Sequence, residues 1–158
     1  MNTITLCKYL VGNKQAILQI GETRRVLWLG LLFVLSAGFA REYDGEDLLH
    51  EPWHLAIPLG ASVVSSFLLY VLIWWVADSR KAKNPFWKGY AIFLALYWMT
   101  APLAWLYAIP VERFLSAADS VRANLWLLGV VSVWRVALIT RVVSVIYRCK
   151  PIAAFFVV

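Results

Sequence analysis

The sequence predicts an all-α polytopic membrane protein folded as a four-helix antiparallel transmembrane bundle, and three observations predict it. Four apolar runs, at residues 26–40, 55–77, 90–109 and 125–147, divide the 158-residue chain. Hydrophobic residues make up 62% of it and charged residues 15%, against about 45–50% and about 25% in a soluble domain. A water-soluble fold of that composition would expose large apolar patches and aggregate. Finally, the net charge of +6 comes from basic residues clustered between the runs, which is how topology is encoded rather than how nucleic acid is bound. One domain's worth of chain is present.

Residues 1–25 precede the first run. Ile4, Leu6, Tyr9, Leu10, Val11, Ile17, Leu18 and Ile20 alternate there with Lys8, Lys14, Arg24 and Arg25. Such a stretch either lies in the headgroup plane, its basic side chains toward anionic lipid, or forms a partly ordered cytoplasmic tail. The first run holds no charge but covers only ~22 Å at ~1.5 Å per residue, short of a ~30 Å hydrocarbon core. Its helix is therefore expected to extend past both ends, with Arg25 and Arg41 reaching the interfaces. Arg24 and Arg25 ahead of an apolar stretch ending in Gly38-Phe39-Ala40 also match a secretory signal with a small-residue cleavage site. An uncleaved anchor is the expectation.

The second run is the longest without a charge, and Pro58 falls in its first turn, where a missing N–H costs little. The third follows an amphipathic lead-in at residues 85–87 and contains Pro102, which should kink it. The fourth carries Arg135 and Arg141. Residues 148–158 are then either an interfacial tail or the start of a fifth span.

Lysine and arginine set the orientation. Lys8, Lys14, Arg24, Arg25, Arg80, Lys81, Lys83, Lys88, Arg148 and Lys150 lie on one side, with only Arg41, Arg113 and Arg122 on the other. This bias places both termini in the cytoplasm, in a pattern that suits a bacterial inner membrane. Most of the nine tryptophans sit toward run ends, as interfacial belts do. Cys7 and Cys149 fall on the cytoplasmic side and are expected to stay reduced.

Lipid gives helices no hydrophobic reason to associate, so small residues mark the expected contacts. These are Gly30 and Ala37 in the first helix and Ser62, Ser65 and Ser66 in the second. In the third they are Ala91, Ala95, Ala104 and Ala108, around the Pro102 kink.

Three features are candidates for chemistry. His50-Glu51-Pro52-Trp53-His54 spells H-E-x-x-H, in which two histidines on one helical face hold zinc and the glutamate acts as base. Pro52 between them and the lack of a third ligand at recognisable spacing make this a weak metal site. Arg135 lies near the middle of the fourth run, a costly place for a charge. It either snorkels to the cytoplasmic surface or meets an acid of another subunit, a lipid phosphate or an anionic substrate. Trp134, Arg141 and Tyr97 or Tyr107 would flank such a contact. The third helix is also rich in aromatic residues, which would suit packing, lipid, or a bound pigment; no cofactor is required.

There is no Gly-rich phosphate loop, no nucleophile elbow and no carboxylate pair within a run. The leading expectation is thus a non-catalytic membrane subunit or assembly factor of a larger complex. Its partners would be membrane lipids and other integral membrane proteins or further copies of itself, and not nucleic acid. The alternative is a transporter or channel component that uses Arg135. A metal-dependent hydrolase using His50, Glu51 and His54 ranks third.

Overall fold

The computed structural model describes residues 2–23, 25–39, 56–76 and 85–158, and every element among them is helical. In chain order these are α1 (Thr3–Leu10), α2 (Lys14–Glu22), α3 (Val26–Phe39), α4 (Ala56–Val76) and α5 (Phe86–Trp98). Two 3-10 helices follow, Ala101–Ala108 and Val111–Arg113, and then α6 (Ala117–Tyr147) and α7 (Pro151–Phe155). Three segments are long and apolar enough to cross a membrane: Ala56–Val76, Phe86–Leu106 and Ala117–Tyr147. The apolar part of α3 is shorter, Val26–Gly38.

The N-terminal residues form a tight helix pair. Gly12 adopts φ 75°, a left-handed conformation that costs glycine nothing. From there its N–H donates to the Tyr9 carbonyl (2.8 Å) and the Asn13 N–H to that of Lys8 (3.0 Å). These are the two bonds of a Schellman C-cap. Asn13 at once starts α2, its Oδ1 accepting from the backbone N–H of Gln15 and Ala16. Helical spacing then puts Ala16, Ile17 and Ile20 on one buried face, with Lys14, Gln15, Gln19 and Glu22 exposed.

α3 begins at Val26 and does not continue toward the N-terminus, because extended backbone at Thr23 and a turn ahead of Val26 intervene. The extension expected through Arg25 is therefore absent, and the opposite end lies outside the described residues. α5 packs against both α3 and α4. Gly30 makes the α3 contact possible, since a Cβ there would lie 2.9 Å from the Trp98 Cβ. Gly89 does the same for α4, where a Cβ would collide with the Tyr70 hydroxyl.

The break in the third apolar segment takes a specific form. Pro102 offers no N–H and its ring crowds the carbonyl four residues back. The chain tightens ahead of it: the Thr100 N–H turns to the Tyr97 carbonyl, and 3-10 geometry runs from Ala101 to Ala108. The Leu96 carbonyl thereby loses its helical partner.

α6 starts eight residues before the apolar run suggests. Ser116 caps it, accepting from the Asp119 N–H (3.3 Å) while its hydroxyl donates to the Asp119 carboxylate (2.7 Å). It ends where Arg148 turns left-handed, and Pro151 opens α7 in its first turn.

Two apolar clusters result. One joins Tyr9, Ile17 and Ile20 of the N-terminal pair to Leu96, Met99 and Leu103, and to Val131, Leu138 and Val142 of α6. The other gathers Tyr70, Ile73, Phe93, Ile139 and Val143 with Ala154 of α7.

The Gly30 contact is directly testable. Gly30→Ala forces a side chain against Trp98 and should destabilise the protein by ~1–3 kcal/mol, seen as a lower melting temperature in detergent. Gly60→Ala, where nothing lies within 4 Å, should be neutral or slightly stabilising.

Candidate functional site

The functional candidate that the described residues assemble is centred on Arg135. Residues three, four and seven positions on lie on the same helical face. Of these, Leu138 and Val142 belong to the first apolar cluster and Ile139 to the second. Arg135 is thus placed in the seam between the clusters. It lies thirteen residues from both Arg122 and Arg148, or about 20 Å from each along the helix.

The side chain folds onto α5. Its guanidinium carbon lies over the Tyr97 ring, 4.7 Å from the centroid, a cation–π contact of ~0.5–2 kcal/mol depending on desolvation. Its Nε is buried and has no hydrogen-bond partner. Among the described residues of α3, α4 and α5 and the 3-10 helix after it there is no Asp or Glu, and on α6 only Asp119, in its first turn.

Tyr9 closes the site from α1. Fully buried, its hydroxyl donates to the Leu96 carbonyl at 2.6 Å, the acceptor set free by the tightening ahead of Pro102. Leu96 stands ten residues from either end of the Phe86–Leu106 segment, so a residue near the start of the chain reaches the middle of that segment. Burial pushes the Tyr9 phenol above the usual tyrosine range, and the nearby Arg135 charge opposes that shift only in part. Tyr9 is therefore a neutral donor.

α6 also holds the α1–α2 turn. Trp134 Nε1 donates to the Leu10 carbonyl (2.8 Å), and Arg141 Nε to the Gly12 carbonyl (3.3 Å). Trp134 and Arg141, seven residues apart, share a face separate from that of Arg135. Arg135 and Arg141 are thus divided between the seam and the turn.

The other sequence-marked residues have varied places. Ser62 accepts from Trp98 Nε1 (3.1 Å), and Ser66, buried, lies 3.4 Å from the Tyr90 hydroxyl. Ser65 and Ala91 are exposed, Ala95 and Pro102 are buried, and Ala37 and Ala104 are half-buried. The side chains of Tyr107 and Ala108, and all of His50, Glu51 and His54, lie outside the described residues. Among the described residues no group of three or more His, Cys, Asp or Glu is placed to hold a metal ion.

No family model matches the chain, and no curated protein or solved structure matches it.

Tyr9→Phe removes the donor and leaves the Leu96 carbonyl buried and unpaired. The expected cost is ~1–3 kcal/mol, read as a lower melting temperature together with faster proteolysis within residues 3–22. Trp134→Phe, whose bond is exposed, should cost less, about 0.5–1.5 kcal/mol.

Proposed function

We propose that the chain is a non-catalytic integral membrane subunit or assembly factor of a larger membrane protein complex. The observation that carries this reading is the guanidinium of Arg135, midway along α6, without a carboxylate partner among the described residues. A charge at the centre of a membrane helix costs ~2.5–3.5 kcal/mol on insertion scales and is ordinarily paired. Stacking on Tyr97 offsets part of that. An acidic or carbonyl group on a neighbouring membrane subunit would supply the remainder, and would make Arg135 a determinant of assembly.

The frame for this proposal is four antiparallel crossings, with α3 as the first, and both termini cytoplasmic. Support for the orientation is the lysine and arginine bias: the N-terminal pair carries Lys8 and Lys14, and Arg148 and Lys150 follow α6. In this frame α1 and α2 occupy the cytoplasmic half of the bundle. A bacterial inner membrane fits the pattern.

One observation favours a second reading, a transporter or channel component for an anionic solute. The guanidinium is folded inward beside an interrupted helix, and broken helices commonly line solute sites in transporters. Four helices barely enclose a pathway, so this reading requires an oligomer.

Purification of the full chain from native membranes in mild detergent, followed by mass spectrometry of the intact assembly, separates these readings. The subunit reading predicts co-purification with other membrane proteins in fixed stoichiometry. Arg135→Leu should release them while the chain itself still melts cooperatively. A chain that purifies alone or only with copies of itself overturns the proposal. Intact assembly with loss of anion flux in Arg135→Leu proteoliposomes would establish the second reading instead.

A further inference from the structure

A second cationic position, separate from Arg135, lies where the α1–α2 turn meets α6. The two elements leave a cleft of about 210 Å3 between them. Its apolar walls are Leu10 and Val11 on the turn and Ala137 and Leu138 on α6, with Trp134 and Arg141 also lining it. Val11 is 74% exposed and Trp134 39%, so the cleft opens on the outer surface of the bundle rather than into the Arg135 seam.

Arg141 is the charge in this cleft. It spends only Nε on the protein, donating to the Gly12 carbonyl. Among the described residues its two Nη groups, which carry four N–H donors, make no hydrogen bond. That single bond fixes the guanidinium at the rim. Gly12 permits the approach, since a Cβ there would lie 3.3 Å from the Arg141 Cγ. Among the described residues no carboxylate lines the cleft, and exposed Lys8 and Lys14 flank the turn in sequence. Arg141 lies six residues beyond Arg135, about 9 Å nearer the C-terminal end of α6, a depth at which an arginine reaches the headgroup layer.

An apolar cleft on the outer surface, with a positioned guanidinium fork, suits an anionic amphiphile. We propose that it binds an anionic phospholipid, the phosphate held by the Arg141 Nη groups and an acyl chain lying along Leu10, Val11 and Ala137. Guanidinium–phosphate pairing is charge-assisted and can be bidentate. Chain contact with the apolar wall would distinguish a lipid from free phosphate. This inference rests on the membrane reading but not on the subunit assignment, and it holds for a chain that purifies alone.

The test is lipid retention by the full chain, transferred from mixed phosphatidylglycerol and phosphatidylcholine micelles and weighed by native mass spectrometry. The wild type should retain one phosphatidylglycerol per chain, at least five-fold over phosphatidylcholine. Arg141→Gln should abolish the preference, whereas Arg148→Gln, outside the cleft, should keep it. Because Arg141→Gln also loosens the α1–α2 turn, Val11→Asp provides a second probe. It places a carboxylate beside the guanidinium at an exposed position, and should reduce retention with little change in melting temperature. Equal retention of the two lipids, or unchanged preference in Val11→Asp, overturns the proposal. So does displacement of the lipid by millimolar inorganic phosphate, which would mark a free-anion site.

Discussion

The interruption of helical hydrogen bonding ahead of Pro102 is the constraint on which the rest of the arrangement depends. An α-helix continued through Thr100 would pair the Thr100 N–H with the Leu96 carbonyl, leaving that oxygen nothing to offer a neighbour. Because the Thr100 N–H turns to Tyr97, the Leu96 carbonyl becomes an acceptor in the middle of an apolar segment. Such a group needs a partner, since an unpaired carbonyl in an apolar medium is costly. Tyr9 provides it, and with Tyr9 come α1, the Gly12 turn and the apolar face of α2. The N-terminal helix pair thereby becomes part of the core, and Arg135 is enclosed between Tyr97 and the clusters around it.

The remaining contacts between helices follow the same economy. Aromatic side chains carry their polar tips to backbone or serine acceptors: Trp98 to Ser62, Trp105 to Ser36, Tyr70 to the Phe86 carbonyl and Trp134 to the Leu10 carbonyl. Each ring supplies wide dispersion contact and its N–H or O–H supplies direction. Where lipid is as apolar as leucine, that combination and close backbone approach at glycines hold helices together. Gly30 on α3 leaves room for Trp98 of α5, and Gly89 on α5 leaves room for Tyr70 of α4. The exposed apolar surface of α4 and α6, including Trp75, Trp126 and Val133, is what a lipid-facing exterior requires.

How much of this the sequence announces depends on the range of the signal. The long helices are local facts: residues 55–77 form an uninterrupted apolar run, and α4 occupies Ala56–Val76 within it. The start of α6 is less visible, because Asp119 and Arg122 break the apolar run although Ser116 caps the helix ahead of them. Gly12-Asn13 is a readable stop and start between two short helices, obscured by the mixed composition around it. Arg135, with Trp134 and Tyr97 as neighbours, stands out as a charge within a run. That Tyr9 completes its surroundings is not legible, since 87 residues separate Tyr9 from Leu96 and no periodicity encodes so distant a contact. For the same reason, sequence grouped Arg135 with Arg141, whereas helical phase sends one to the seam and the other to the N-terminal turn.

The account rests on the N-terminal pair being built into the bundle through the Tyr9 contact, with α2 packed against α5 and α6. Cysteine labelling in intact membranes measures this directly, in a Cys7→Ser, Cys149→Ser background. Ile17, fully buried on the inner face of α2, and Lys14, exposed at its first residue, would each be replaced by cysteine and exposed to a hydrophilic maleimide. The account predicts rapid labelling at position 14 and protection at position 17 until the protein is denatured. Equal labelling at the two positions would contradict it, because an α2 free of the bundle offers both faces to the reagent.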